Sequence, residues 1–379
     1  MKNISWGFHH LTGMICVLLA AAACAITAPE FLSMSKKEPI YPSPGLTGLT
    51  KLSSYFPGLH NSPGNTDVYV FEGEREGGRL LILGGTHPNE PAGFITSVLL
   101  VENLGVQKGK VFLIPRANNS GFMHTDPQEG NPQRYPIRTT EGKRWFRYGS
   151  RLTNPIHQWP DPVLYVNPSG QTLSGVESRN LNRCYPGRQD GHLTEKVAYA
   201  ITSLIRKEKI DLAIDLHEAA PEYPVVNAIV FHENSAEVAA LASMKLQIEG
   251  LEFRLEASPP NLRGLSHREW GDSANTKAIL LESANVSHGR LKGKPSASLI
   301  LEGKDKNYCK AARLGRLFVP FDEKGIPLKQ RVSRHLAAVY ALLSSLEDIE
   351  PNLAIRLDRS PSADQVRKIG IGPFLSPPR

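Results

Sequence analysis

The stretch Leu80-Leu81-Ile82-Leu83-Gly84-Gly85-Thr86-His87-Pro88-Asn89-Glu90-Pro91-Ala92-Gly93 decides how this chain is read. Arg79 to Leu83 is an apolar run of the kind that forms a strand buried on both faces. Gly84 and Gly85 end the run, and Pro91 opens a helical pattern through Phe94, Ile95, Val98, Leu99 and Leu100. His87 and Glu90 therefore leave a strand end together at the mouth of a helix. There an imidazole nitrogen and a carboxylate oxygen, two good zinc ligands, can face one point. Taken alone, the same residues also describe a turn whose His and Glu sit in solvent.

Outward from this stretch, Val68–Phe71 and Val111–Pro115 read as further strands, and Arg116–Gly121 as a turn. Thr194 can cap a helix reaching Lys207, after which the strand Leu212–Leu216 ends at His217-Glu218. Asn227–Phe231 and Ala278–Leu281 are two more strands, with a helix from about Ala236 to Glu249 between them, and an amphipathic helix from about Val332 to Leu346 closes the domain. Apolar strands alternating with amphipathic helices indicate an α/β domain with a largely parallel or mixed central sheet. Residues 122–178 show no sustained period and read as a rim over a binding cleft. The expected organisation is a leader over 1–28, a linker over 29–66, a catalytic domain over 67–348 and a tail over 349–379.

Composition limits the options. Hydrophobic content of 40% and charged content of 21% over 379 residues are those of a globular chain, not a disordered one. The net charge of +7 is spread along the sequence and forms no Lys/Arg block, so nucleic acid is not an expected partner. Residues 1–28 combine Lys2 with an uncharged, mostly apolar run from Leu11 to Ala28. That pattern fits a cleaved signal peptide, an uncleaved membrane anchor, or lipid attachment at Cys24; each exports the rest of the chain, to the periplasm or cell envelope. A membrane enters only through this segment. Of the four cysteines, Cys184 and Cys309 lie beyond the leader and are a pair that an oxidising compartment would allow to bond.

Ligands in open α/β sheets sit beyond the carboxyl ends of the strands. His87, Glu90, His217 and Glu282 all fall there. Two His and one Glu form a catalytic zinc set with a fourth position for water. Asp215, on the same face of its strand as His217, is a candidate acceptor for a histidine N–H. Glu282 closes the apolar run Lys277–Leu281 and is the candidate general base and acid; Glu218, the competitor, should point the other way in an extended segment. In Arg179-Asn180-Leu181-Asn182-Arg183, two Arg forks and an Asn can hold an anionic group.

With these residues placed, the chain resembles the succinylglutamate desuccinylase and aspartoacylase family, within the wider zinc carboxypeptidase-like group. The matching pieces are GGTHPNEPAG, IPRANNSG, NLNRCYPG, DLHE and ILLE, in the family's order, over about residues 79–283. The resemblance implies a three-layer α/β/α fold with a mixed sheet, one zinc per chain on His87, Glu90 and His217, a substrate carboxylate held by Asn182 and Arg183, and Glu282 as base and acid. Two departures stand out: Asn180 occupies the place of the usual acid before LNR, and the expected upstream Arg has no clear match. Arg179 is the first candidate for it, with Arg147 and Arg151 behind. His267 and Arg268, in the loop before the last strand, are candidates for reading the substrate.

The expected activity is therefore that of an exported zinc-dependent hydrolase cleaving an amide bond next to a free carboxylate, of the N-acyl amino acid deacylase type. The alternatives are a metallocarboxypeptidase trimming peptides, including cell-wall peptides, and an inactive protein that keeps the pocket to bind carboxylates. The expected partner is a small molecule or peptide with a free carboxylate.

Overall fold

The computed structural model describes residues 3–378, so residues 1 and 2 of the leader and residue 379 of the tail lie outside the described residues. The chain divides into two compact units, one ending at Lys37 and one beginning at Glu38. The first is built on helix α1 (Asn3–Leu32). Its segment His9–Ser35 is long and apolar enough to cross a membrane, a property that signal sequences share.

The second unit is organised on a nine-stranded mixed sheet. Its strands are β1 (Gly48–Lys51), β2 (Asp67–Glu72), β3 (Arg75–Leu83), β4 (Gly105–Ile114), and, after two small hairpins, β5 (Arg134–Thr139) with β6 (Gly142–Arg147) and β7 (Leu164–Val166) with β8 (Thr172–Ser174), then β9 (Leu212–Ala219), β10 (Ala228–Phe231), β11 (Arg254–Ala257), β12 (Lys277–Ala284) and β13 (Arg356–Asp358). The order across the sheet is β1-β2-β4-β3-β9-β12-β10-β11, with β13 alongside β4. The central strands β4, β3, β9 and β12 are parallel, β1, β2 and β13 run antiparallel to their neighbours, and β10 runs antiparallel to β12 but parallel to β11.

Alternation along the central strands sets the layers. Leu80 and Ile82 face one core and Leu81 and Leu83 the other; Ile214 and Ala213, or Ile279 and Ala278, divide in the same way. The first face is covered by α2 (Pro91–Asn103), α4 (Ala236–Ile248), α8 (Leu328–Ile349) and α9 (Ala363–Ile369). The second is covered by α3 (Leu193–Glu208) and by Trp270 of α5 (Ser266–Ala274). Two short helices, α6 (Ala297–Glu302) and α7 (Lys306–Arg313), precede α8. The result is the expected three-layer α/β/α architecture.

Helix α2 follows β3 directly and is buried along nearly its whole length. Two glycines make its close approach possible. A Cβ on Gly93 would lie 2.3 Å from the Leu216 carbonyl oxygen of β9, and one on Gly84 would lie 2.6 Å from the Gly93 carbonyl oxygen. The helix start is thus pressed against the end of β9, the juncture at which His87, Glu90 and His217 must meet.

Three expectations about organisation need correction. Of the expected linker over 29–66, residues 38–66 belong to the folded unit: β1 pairs with β2, and Leu52 and Leu59 are fully buried. Residues 349–378, expected to be a tail, supply β13 and α9 and bury Val366, Ile371 and Leu375 in the main core. Both segments dock through isolated apolar side chains and short sheet-edge pairings, which leave no period in the sequence. Residues 122–178, expected to form a rim without a sustained period, carry the hairpins β5–β6 and β7–β8, the first pinned by the buried Arg144–Glu102 pair at 2.8 Å.

Candidate metal centre

Strand β3 and the turn after it deliver His87 and Glu90, and the adjacent strand β9 delivers His217. All three are buried. His87 Nδ1 lies 2.8 Å from Glu90 Oε1, His217 Nδ1 lies 2.9 Å from Glu90 Oε2, and the two Nδ1 atoms are 3.1 Å apart. Three ligand atoms thus converge on one point. Neighbouring ligands on a tetrahedral zinc with bonds near 2.0–2.1 Å stand about 3.3 Å apart, close to this spacing. The donor set and its spacing fit such an ion.

Each ligand is oriented by a further residue. His87 Nε2 donates to Asn180 Oδ1 at 2.9 Å, which leaves its Nδ1 lone pair facing the cluster. Asn180 therefore supplies the acceptor that an acid at this position would have offered. His217 Nε2 lies 3.0 Å from Asp215 Oδ2, close enough for an ion pair though not aligned as a hydrogen bond. Asp215 in turn accepts from the Thr86 hydroxyl at 2.7 Å. Glu90 Oε2 accepts the Glu218 backbone N–H at 3.0 Å.

The electrostatics follow from this packing. Burial, reinforced by Arg151, pushes His87 down to about 4, so its ring is neutral near pH 7. Burial alone would raise Glu90, but His87 and His217 overcome it and hold the carboxyl well below the usual range. Burial likewise opposes charge on His217, yet Asp215 and Glu90 outweigh it and raise the imidazole well above its ordinary value.

Glu282 occupies β12 directly beside His217, its register partner on β9. Its side chain is half-buried, and Oε2 is enclosed without a hydrogen-bond partner. Burial raises its pKa to about 8 despite the opposing pull of His217. Glu218 does point the other way, as an extended segment requires. Its carboxylate accepts from Arg331 at 2.7 Å, from the Ala92 N–H at 2.8 Å and from Asn285 Nδ2 at 3.2 Å.

The arginines redistribute the expected roles. Arg179 is not available to a substrate: its guanidinium forks onto Asp161 at 2.7 and 2.9 Å and donates to the Thr153 carbonyl, so it braces the rim. Arg147 likewise donates to the Phe122 carbonyl at 3.1 Å. Arg151 stands at the cluster instead, with Nη1 3.0 Å from Glu90 Oε1 and 3.1 Å from His87 Nδ1, and its side chain is 38% exposed. Arg183 donates to the Asn182 carbonyl and keeps a partly exposed side chain, within the electrostatic reach of Arg151 and Glu282. Asn182 is buried and accepts the Ser266 N–H at 2.8 Å.

Of the loop candidates, Arg268 is buried and donates from Nη1 to the Ser258 carbonyl and from Nη2 to Glu233 and Asp272. His267 is buried with Nδ1 2.8 Å from the Ser258 hydroxyl. A second convergence, His232 with Glu233 and Asp272, is crossed by Arg268 and Arg263, whose guanidiniums already balance its carboxylates. Cys184 and Cys309 are both free thiols: the first is buried in the turn after Arg183, the second lies on α7. Arg331, His335, Asn285 and His288 were not singled out in the sequence. His335, on α8, donates from Nε2 to the His217 carbonyl at 3.0 Å and could not have been found from local spacing.

No family model matches the chain, and no curated protein matches it. Among solved structures, it is similar to a succinylglutamate desuccinylase/aspartoacylase from Rhodobacter sphaeroides at 18% identity and a TM-score of 0.35, covering 57% of this chain and 51% of that one. It is similar to the cell shape determinant protein Csd4 from Helicobacter pylori in its apo form at 15% identity and a TM-score of 0.46, covering 80% and 59%. The mDAP-bound form of Csd4, described as a D,L-carboxypeptidase, gives 16% identity and a TM-score of 0.42, covering 75% and 52%. The chain spans 51–59% of the length of these structures. The first of them bears the name of the family that the motifs resemble.

Proposed function

We propose that this chain is a zinc-dependent hydrolase that cleaves an amide bond next to a free carboxylate, with an N-acyl amino acid as the first substrate to test. The observation that carries the reading is the convergence of His87, Glu90 and His217 within 3.1 Å of one another, beside an unpaired carboxyl on the neighbouring strand. His87, Glu90 and His217 hold the ion. Bound there, zinc supplies Lewis acidity, which polarises a carbonyl and acidifies water. Glu282 takes a proton from the attacking water and returns it to the leaving amine. A carboxyl held at about 8 exchanges its proton near neutrality, as this double role needs. Arg183 and Asn182 hold the substrate carboxylate, and Arg151, in place of Arg179, faces charge that develops at the scissile carbonyl. Helix α1 directs the chain out of the cytoplasm, to the periplasm or cell envelope.

The test is metal content and turnover on the same preparation. Parent protein stripped and reloaded is expected to hold one zinc per chain and to hydrolyse members of a panel of N-acetyl amino acids and short peptides. His217→Ala is expected to lose the zinc. Equal stoichiometry in the two proteins would remove the site as drawn, and equal cleavage of C-terminally amidated peptides would remove the carboxylate clamp.

A further inference from the structure

His288 lies outside every motif considered so far. It sits in the loop that leaves β12 after Ala284, and that loop is held against the centre at several points. Asn285 donates its backbone N–H to the Ala219 carbonyl at the end of β9 at 2.8 Å. Asn285 Nδ2 and the Ala92 N–H share one acceptor, Glu218 Oε2, at 3.2 and 2.8 Å, which brings the loop to within two residues of Glu90. Ser287 closes back on Asn285 Oδ1 through both its N–H and its hydroxyl, each at 2.8 Å. A Cβ on Gly289 would overlap the Tyr308 hydroxyl at 1.7 Å, so the backbone next to His288 is tightly enclosed. Further on, Lys292 pairs with Glu129 at 2.9 Å and ties the loop to the rim. The loop that carries His288 is thus tied at one end to β9 and at the other to the rim.

Within this fixed frame the imidazole makes no bond of its own at one end. Nε2 is enclosed and has no hydrogen-bond partner. A buried, unpaired ring nitrogen carries a desolvation cost unless something completes it. Burial, aided by Arg151 and opposed by Glu90, lowers its pKa to about 4. The ring is accordingly neutral near pH 7, with one nitrogen that donates and one that accepts.

We propose that His288 is a substrate-contacting residue: its Nε2 completes a hydrogen bond with a polar group of the bound amide, on the side of the centre that faces the Glu129–Lys292 pair. This assignment rests on the hydrolase reading above. It adds to Arg183 and Asn182 a neutral contact from a different loop. A neutral imidazole there recognises an amide or hydroxyl in preference to a second carboxylate.

The test uses the full chain loaded with zinc, as parent, His288→Ala and His288→Gln, on the panel of N-acetyl amino acids and tripeptides. His288→Ala is expected to lower kcat/KM about tenfold, mainly through KM, with zinc per chain and Tm close to the parent. His288→Gln, whose amide reaches a similar point, is expected to recover part of the loss. Unchanged kcat/KM in His288→Ala, or loss of zinc from it, would overturn the assignment. If the zinc-loaded parent hydrolyses nothing in the panel, the hydrolase reading fails by itself. The Cε1–H resonance of His288 then decides: movement on titration with the same compounds keeps the contact, and a static resonance overturns it.

Discussion

Glu282 differs from the carboxylates around it in lacking a partner. Glu90 is braced by two histidines and Glu218 by Arg331, whereas Glu282 Oε2 is enclosed and unbonded. Its pKa rises from the ordinary 4.5 to about 8, so the folded state keeps a proton that the unfolded chain has lost. The stability tied to this group is complete below about pH 4.5 and is lost as pH rises toward 8. In chelator-treated protein, Glu282→Gln is expected to match the parent near pH 4 and to exceed it above pH 8 by on the order of a few kcal/mol, read from urea midpoints. A constant difference across that range would mean that Glu282 is not held uncharged. With zinc restored, the same variant is expected to bind the ion yet lose turnover by at least about a hundredfold. At this scale the convergence of His87, Glu90 and His217 was legible because each follows an apolar strand. Arg151 was less so, because it lies in a stretch whose hairpins are too short and polar to leave a period.

Among the elements, the meeting of α2, β9 and α8 holds the centre together. Glu218 leaves β9 on the face opposite His217, caps the start of α2 through the Ala92 N–H and pairs with Arg331 of α8. Both side chains of this pair are essentially fully buried. Removing one member leaves an uncompensated buried charge, so Arg331→Met is expected to cost about 3–5 kcal/mol. The double variant Glu218→Gln with Arg331→Met should recover much of that loss, since neither charge remains. Denaturant unfolding of the two variants checks this, and equal destabilisation would show that packing, not the pair, dominates. The sequence marked α8 as amphipathic and Glu218 as turned away from His217. It could not mark Arg331 as the partner, because the two residues are brought together from distant parts of the chain.

For the whole molecule, the folded unit from Glu38 onward is larger than the periodic segments suggest. Val366, Ile371 and Leu375 lie in the same core as β3 and α8. Burial of each such side chain contributes roughly 1.5–3 kcal/mol, and β13 adds backbone pairing to β4. Removal of residues 350–379 is therefore expected to lower Tm by well over 10 °C or to prevent soluble folding, as thermal scans would show. A truncated chain with the parent's Tm would restore the reading of this segment as a tail.

The sequence by itself determined the α/β class, the apolar strands and the residue types at their ends. Those features are written locally, in alternation, in glycine at sharp turns and in the chemistry of His and Glu. The tertiary structure decided the rest. It showed that Arg179 braces Asp161 while Arg151 reaches Glu90, that Asn180 serves as the acceptor for His87, and that Glu282 stands unpaired next to His217. These outcomes depend on which distant side chains share one buried space. In such a space each charge or ring nitrogen is set by its nearest partners, and local sequence carries no record of them.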